Sequence, residues 1–314
     1  MTRSGPLLNW LQILRIPTVF TALADVLCGF VLGAWAAQTG SPDWHVLPWL
    51  LLSSAGLYLG GMVLNDVFDV RLDTVERPER PIPGGRISFP AASVAGCLLM
   101  AGGLAAAAAA SFTADRAVHS LWIAVMIATA VLAYDGVLKK TWAGPLNMAM
   151  CRFLNLSLGA STAVSAAGAV MSWQQPTLGT STGLAVYIVG VTWFARNEAG
   201  EASKFGLCGG LIVATAGVLV SAGSTLLQQR DPITVVAALL QYLVVAGWTA
   251  ARGITAIRNR QSPVLQRTVG RMLLWIIVLD AVAVFGVTGC IVTEGMVLLL
   301  LIPAILLRKR IPMS

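Results

Sequence analysis

The sequence predicts an all-α fold: a polytopic transmembrane bundle of nine to ten helices around a central cavity. Three observations carry that expectation. Of 314 residues, 57% are hydrophobic and only 11% are charged, where a soluble domain carries about 25%. The mean hydropathy is +0.78. The charges also collect in short breaks between apolar runs, and those runs reach the ~18 residues or more that cross a bilayer. A soluble α/β enzyme, a secreted disulfide scaffold and a disordered tail are excluded together.

A window of about 19 residues places spans at 16–37, 45–65, 90–112, 117–136, 146–170, 182–200, 205–224, 233–253, 268–288 and 291–307. The first follows Arg3 and Arg15, exceeds a signal-peptide core and lacks a convincing cleavage site, so it is a membrane helix. The second carries Gly56 and Gly60 and the third a run of glycine and alanine at 101–110, small residues that let helices approach closely. The fourth ends on Tyr134-Asp135-Gly136. The fifth is the least regular, holding Asn147, Arg152, Asn155 and Ser157, and the sixth runs into a second acidic cluster. The last four are plain apolar runs, the final two separated by only a few residues; nine crossings with one re-entrant segment is the alternative. Residues 1–314 read as a single domain.

The net charge is +7, and its placement matters more than its sum. Ten spans with the N-terminus inside put 19 of the 21 basic residues on the inner side or just within it, leaving Arg116 and Arg230 outside. That positive-inside bias predicts an inner or plasma membrane protein with both termini and the charged loops facing the cytoplasm. The five cysteines are widely spaced in or beside apolar runs, and His45 and His119 are the only histidines, so no zinc-ligand spacing exists.

The most informative stretch is Asn65-Asp66-Val67-Phe68-Asp69-Val70-Arg71-Leu72-Asp73. Its acids fall at i, i+3 and i+7, which puts three carboxylates on one helical stripe at the inner interface. Such a stripe is costly unless cations neutralise it. Hard oxygens on one face suit Mg²⁺, which bridges to phosphate oxygens; a solvated loop whose acids pair with nearby arginines is the other reading. Next comes Glu76-Arg77-Pro78-Glu79-Arg80-Pro81-Ile82-Pro83-Gly84-Gly85-Arg86, where three prolines stiffen a loop whose arginines can fork onto phosphate or simply set topology. A second cluster, Arg196-Asn197-Glu198-Ala199-Gly200-Glu201-Ala202-Ser203-Lys204, again stacks oxygen ligands at i, i+3 and i+4. Between them lie Tyr134, Asp135, Lys139 and Lys140, then Arg152 and Asn155. An arginine in a membrane helix is expensive, so Arg152 faces the bundle interior and a partner. Asp25 and Asp280 are further intramembrane acids; Asp25 lines a possible cavity, and the sequence names no partner for Asp280. Two carboxylate sets, several cations and an apolar bundle describe a site for a metal-bridged diphosphate with a greasy tail.

These residues resemble a known family. NDVFDVRLD followed by RPERPIPGG is similar to the first signature of the UbiA superfamily of intramembrane prenyltransferases, and YDGVLKKTWAGPLNMAMCRFLNLSLG to its Tyr-x-x-x-Leu-Lys segment with later Gly, Arg and Asn. The resemblance runs from Arg15 to about Lys204. It implies a helical bundle, usually of nine spans, that moves a prenyl chain from a polyprenyl diphosphate to an aromatic or other hydrophobic acceptor, with two Mg²⁺ ions holding the diphosphate. Carried over by position, Asn65, Asp66, Asp69 and Asp73 would form the first metal site, and Asn197, Glu198 and Glu201 the second. Arg77, Arg80, Lys139 and Arg152 would contact the diphosphate, with Tyr134, Lys140, Asn155 and Lys204 nearby and Asp25 toward the acceptor. Asp66, Asp69, Asp73, Lys139 and Arg152 would carry the catalysis. The usual second motif is DxxxD; the NExxE form here is similar to the EboC-like branch, which puts the second metal and the acceptor class in question. The bilayer is the expected surrounding, and nucleic acid is not an expected partner. A transporter using Asp25, Arg152 and Asp280 as a relay, and a non-catalytic prenyl-lipid binder, are the competing functions.

Overall fold

The computed structural model describes residues 5–38, 42–114, 118–164, 168, 170–196, 203–228 and 230–311. Asn197, Glu198 and Glu201, the whole second motif, lie outside the described residues, as does Arg116. Among the described residues the chain is helical, with one isolated antiparallel bridge, Val164 to Val170.

Helix α1 (Pro6–Ile13) precedes the membrane helices α2 (Ile16–Ala37) and α3 (Leu47–Phe68); α4 (Val70–Glu76) continues α3 past a break at Asp69. Then follow α5 (Phe89–Thr113), α6 (His119–Gly136), α7 (Gly144–Gly159), α8 (Thr177–Arg196), α9 (Lys204–Leu226), α10 (Pro232–Asn259), α11 (Ser262–Thr288), α12 (Ile291–Leu298) and α13 (Leu301–Arg310). Proline stands in the first turn of many of these, where its missing N–H is no loss. Asp231 caps α10 by accepting from the Thr234 N–H at 2.9 Å, and hydrogen bonds from Thr234 hold its carboxyl below the usual carboxylate range.

Nine helices, with α12 and α13 counted as one, are long and apolar enough to cross a membrane among the described residues. The fifth expected span, 146–170, is the exception. Its helix α7 has 16 residues and ends at Gly159, after which the chain turns through the Val164–Val170 bridge and a 3₁₀ turn at Met171–Trp173. At about 1.5 Å per residue α7 is ~24 Å long. Its polar residues lower its hydropathy without removing it from the bundle, where it packs against α2, α6 and α8. Other spans outrun their expected limits at the charged end. Helix α10 runs on to Asn259 and α11 starts at Ser262, because backbone hydrogen bonding continues where hydropathy stops and exposed arginines carry their charge outward.

Glycines set the closest helix approaches. A Cβ at Gly56 would sit 2.8 Å from the Gly103 backbone, which locks α3 against α5. More important for the site is α2 against α7. A Cβ at Gly29 would strike the Leu156 carbonyl, and one at Gly159 the Val26 carbonyl. Only glycine allows these backbones so near, and that contact brings Asp25 of α2 to Arg152 and Asn155 of α7. At the two ends the layers are tied differently. Arg196 of α8 donates to the Lys139 carbonyl at 2.6 Å and to that of Thr141, while at the opposite end Arg230 donates to the Val287 carbonyl and stacks over Trp35 at 4.1 Å.

Candidate active site

A cavity of about 540 Å³ opens within α2, α3, α6, α7, α8 and α11. Its wall is apolar along Leu57, Ile127, Val131, Ile188, Val191 and Leu273. Polar groups gather at two levels: Arg15, Asn65, Asp69, Asp135 and Lys139 at the motif-bearing end, and Ser54, Tyr58, Arg152 and Asn155 deeper in. Eight residues along α7 from Gly144 to Arg152 place the two levels ~12 Å apart.

At the mouth, the break at Asp69 hardly disturbs the stripe. Asp69 N–H still bonds the Asn65 carbonyl and Asp73 N–H the Asp69 carbonyl, so the three acids stay on one side. Each meets a cation from another part of the chain. Arg15, the residue before α2, donates to Asp66 at 2.9 Å. Arg80, on the proline loop and nearly buried, donates to Asp73 at 2.7 Å and stands 3.5 Å from Asp66. Lys139 closes onto Asp69, and Asn65 donates to Asp135 at 2.6 Å. The cluster thus sets four carboxyl groups against three cations. The second oxygens of Asp66 and Asp135 are buried with no hydrogen-bond partner.

In the floor, Arg152 donates to Asp25 at 2.9 Å and to the Thr21 hydroxyl at 2.8 Å, with its guanidinium 5.5 Å from the Tyr58 ring centre. Asn155 donates to Asp25 and to the Ala22 carbonyl, and accepts from Ser54. Asp25 itself is fully buried behind Arg152 and does not reach the cavity. Asp280 of α11, for which the sequence named no partner, is buried near Asp25, and neither of its oxygens has a hydrogen-bond partner.

Of the expected site residues, Asn65, Asp69, Tyr134 and Lys139 line the mouth and Arg152 and Asn155 the floor, while Asp66, Asp73 and Arg80 are ion-paired and buried beside the mouth and Asp25 is buried behind Arg152. Arg77, Lys140 and Lys204 are exposed and do not line the cavity. Arg15 and Asp135 complete the mouth and were not marked out by any spacing. Their signal was present, Asp135 beside Tyr134 and Arg15 at the foot of the first span, but nothing in the sequence tied either to the first motif.

The profile of the UbiA prenyltransferase family matches residues 26–195. The chain belongs to the UbiA prenyltransferase family. The match covers helices α3, α6 and α7, nearly all of α8 and the second half of α2, and leaves α11 outside. Among curated relatives, digeranylgeranylglyceryl phosphate synthase of Saccharolobus solfataricus is 32% identical over 137 residues, 42% of this chain and 44% of that protein. The protein of the same name from Methanoculleus marisnigri is 38% identical over 134 residues, 42% and 43% of the two chains. The matched segment thus spans less than half the length of these relatives. Solved structures share the fold over far more of the chain. A digeranylgeranylglyceryl phosphate synthase structure gives a TM-score of 0.65 at 16% identity, covering 91% of this chain and 99% of that one. A UbiA homologue from Archaeoglobus fulgidus bound to GPP and Mg²⁺ gives 0.57 at 14% identity, covering 88% and 99%.

Proposed function

We propose that this chain is an integral-membrane prenyltransferase that moves a prenyl group from a polyprenyl diphosphate to a lipid-precursor acceptor. The observation that carries the reading is the charge arrangement at the mouth of an apolar cavity. Four carboxyl groups against three cations leave that mouth acidic when all are ionised, so a diphosphate cannot approach it alone. Divalent cations would reverse that balance, and the unpartnered oxygens of Asp66 and Asp135 are hard donors that fit them. Among the described residues no three of these acids stand close enough to hold a metal by themselves, so an ion here would rest on one or two carboxylates and on the diphosphate it brings. Asn65, Asp66, Asp69 and Asp73 are the residues assigned to hold it, with Asn197, Glu198 and Glu201 as a second set. When bound, Mg²⁺ stabilises charge developing on the diphosphate leaving group.

The chain's own residues account for the rest. Arg15, Arg80 and Lys139 are fixed cations that can turn from carboxylate to diphosphate oxygens, and Arg152 lies deeper in the same cavity. The apolar wall excludes water from the allylic cation left by ionisation, which would otherwise be hydrolysed. The positive-inside bias of the sequence supports a cytoplasmic side for the mouth cluster. The relatives' name, a synthase of a glyceryl phosphate carrying two geranylgeranyl groups, supports an acceptor with a glycerol-phosphate head, and the Arg152–Asn155 floor is polar enough to take one. Purified protein in lipid, offered prenyl diphosphates of increasing length with glycerol-phosphate and aromatic acceptors, tests this. Product formation abolished by chelating Mg²⁺ is expected; no diphosphate binding under any condition would overturn the reading and favour the transporter.

A further inference from the structure

The cations of the C-terminal third are not arranged like those of the mouth. From Pro232 onward the sequence holds eight basic residues, from Arg252 to Arg310, and only two acids, Asp280 and Glu294, both buried within spanning helices. None of the eight takes part in an ion pair among the described residues. Two of them are held together. Arg308 of α13 lies half-buried across Gly270 of α11, donating to its carbonyl at 2.7 Å; a Cβ on Gly270 would strike the guanidinium, so the glycine makes the slot. Arg271, the next residue along α11 and exposed, adds a second positive charge beside that slot. Arg267 stands one turn before Arg271 on the same face of α11. A guanidinium has five N–H donors, and Arg308 uses one.

We propose that α11 and α13 form a docking site for an anionic phospholipid, its headgroup phosphate seated between Arg271 and Arg308. A phosphate there would supply the missing counter-charge and accept the unused donors. The site lies at the ends of spanning helices, where headgroups lie, and basic clusters in that position attract anionic lipid. Exposed Ile302, Ile305 and Leu306 run along α13 beneath Arg308 and give an acyl chain its surface. The occupant is not the prenyl diphosphate. Val269 and Leu273 face the cavity, and Arg271, midway between them and ~200° round the helix from each, faces out.

The test places the full chain in bilayers of phosphatidylcholine alone or mixed with phosphatidylglycerol, and reads melting temperature and the lipid retained after extraction, by native mass spectrometry. The wild type should melt higher with phosphatidylglycerol and retain it, and high salt should erase both effects. R271Q with R308Q should lower retention about fivefold per cation removed. Because Arg308 also ties α13 to α11, R271E is the safer variant. It sets an acid beside Arg308, and should lose the phosphatidylglycerol effect while melting no lower in phosphatidylcholine. Equal melting of the wild type in both bilayers, or undiminished retention by R271E, would overturn the proposal. So would an acidic soluble protein that binds this face in competition with the lipid.

Discussion

Two regions at the same end of the bundle treat positive charge in opposite ways. At the cavity mouth Arg15, Arg80 and Lys139 each close on a carboxylate, and deeper in the cavity Arg152 closes on Asp25. Around α11 and α13 no cation pairs with an acid among the described residues, and Arg308 lies across Gly270, the neighbour of another arginine, Arg271. The difference teaches that positive charge facing one side of a membrane has more than one use. Topology needs only the excess, which the α11–α13 face supplies. Cations matched to acids contribute nothing to that excess, so their presence at the mouth calls for another reason, and an exchangeable anion with its metal is the one the geometry supports.

Predictions that strain this contrast run from large to small. Replacing Asp66 and Asp69 together by Asn removes the acids and frees the mouth cations; turnover should fall by at least the ~10²–10³-fold typical of losing one transition-state contact. Diphosphate binding without Mg²⁺ should meanwhile rise, since the mouth becomes basic, and equilibrium binding with chelator present reads this directly. Next in size, Arg152→Leu leaves Asp25 buried without its cation and should destabilise the protein by about 3–5 kcal/mol. The double replacement with Asp25→Leu should recover much of that, as a thermal-unfolding cycle in lipid would show. Smaller again is Asp280→Asn. It removes a carboxyl crowded against Asp25 with no cation of its own, so melting should rise by a few degrees. A fall would mean that Asp280 has an ionised partner. Smallest of all, Arg271→Gln should leave turnover in neutral lipid unchanged.

Much of this was legible in the sequence, and unevenly. The acid stripe needed only the helical period, so Asp66, Asp69 and Asp73 were legible at once, and the small residues of α3 and α5 announced close packing. Helix ends were less so, because hydropathy windows stop at the first arginine of α10 and α11 while the backbone goes on hydrogen-bonding. Helix α7 was misjudged in length for the opposite reason: apolar residues continue past Gly159, yet the chain there turns instead of spanning. What the sequence hid was pairing between distant elements. Arg15 meets Asp66 across 51 residues and Asn65 meets Asp135 across 70, and no local spacing encodes either. Asp280 against Asp25 is the extreme case, brought together only when α11 packs on α2. The second motif lies outside the described residues, so the sequence alone speaks for Asn197, Glu198 and Glu201.

The most direct test of the central claim is diphosphate release from a labelled prenyl diphosphate by the protein in lipid, measured for the wild type and for D66N with D69N, with Mg²⁺ present or chelated. Release by the wild type that requires Mg²⁺ and vanishes in the double variant is the expected result. Release of equal rate in the double variant, or unaffected by chelation, would contradict it.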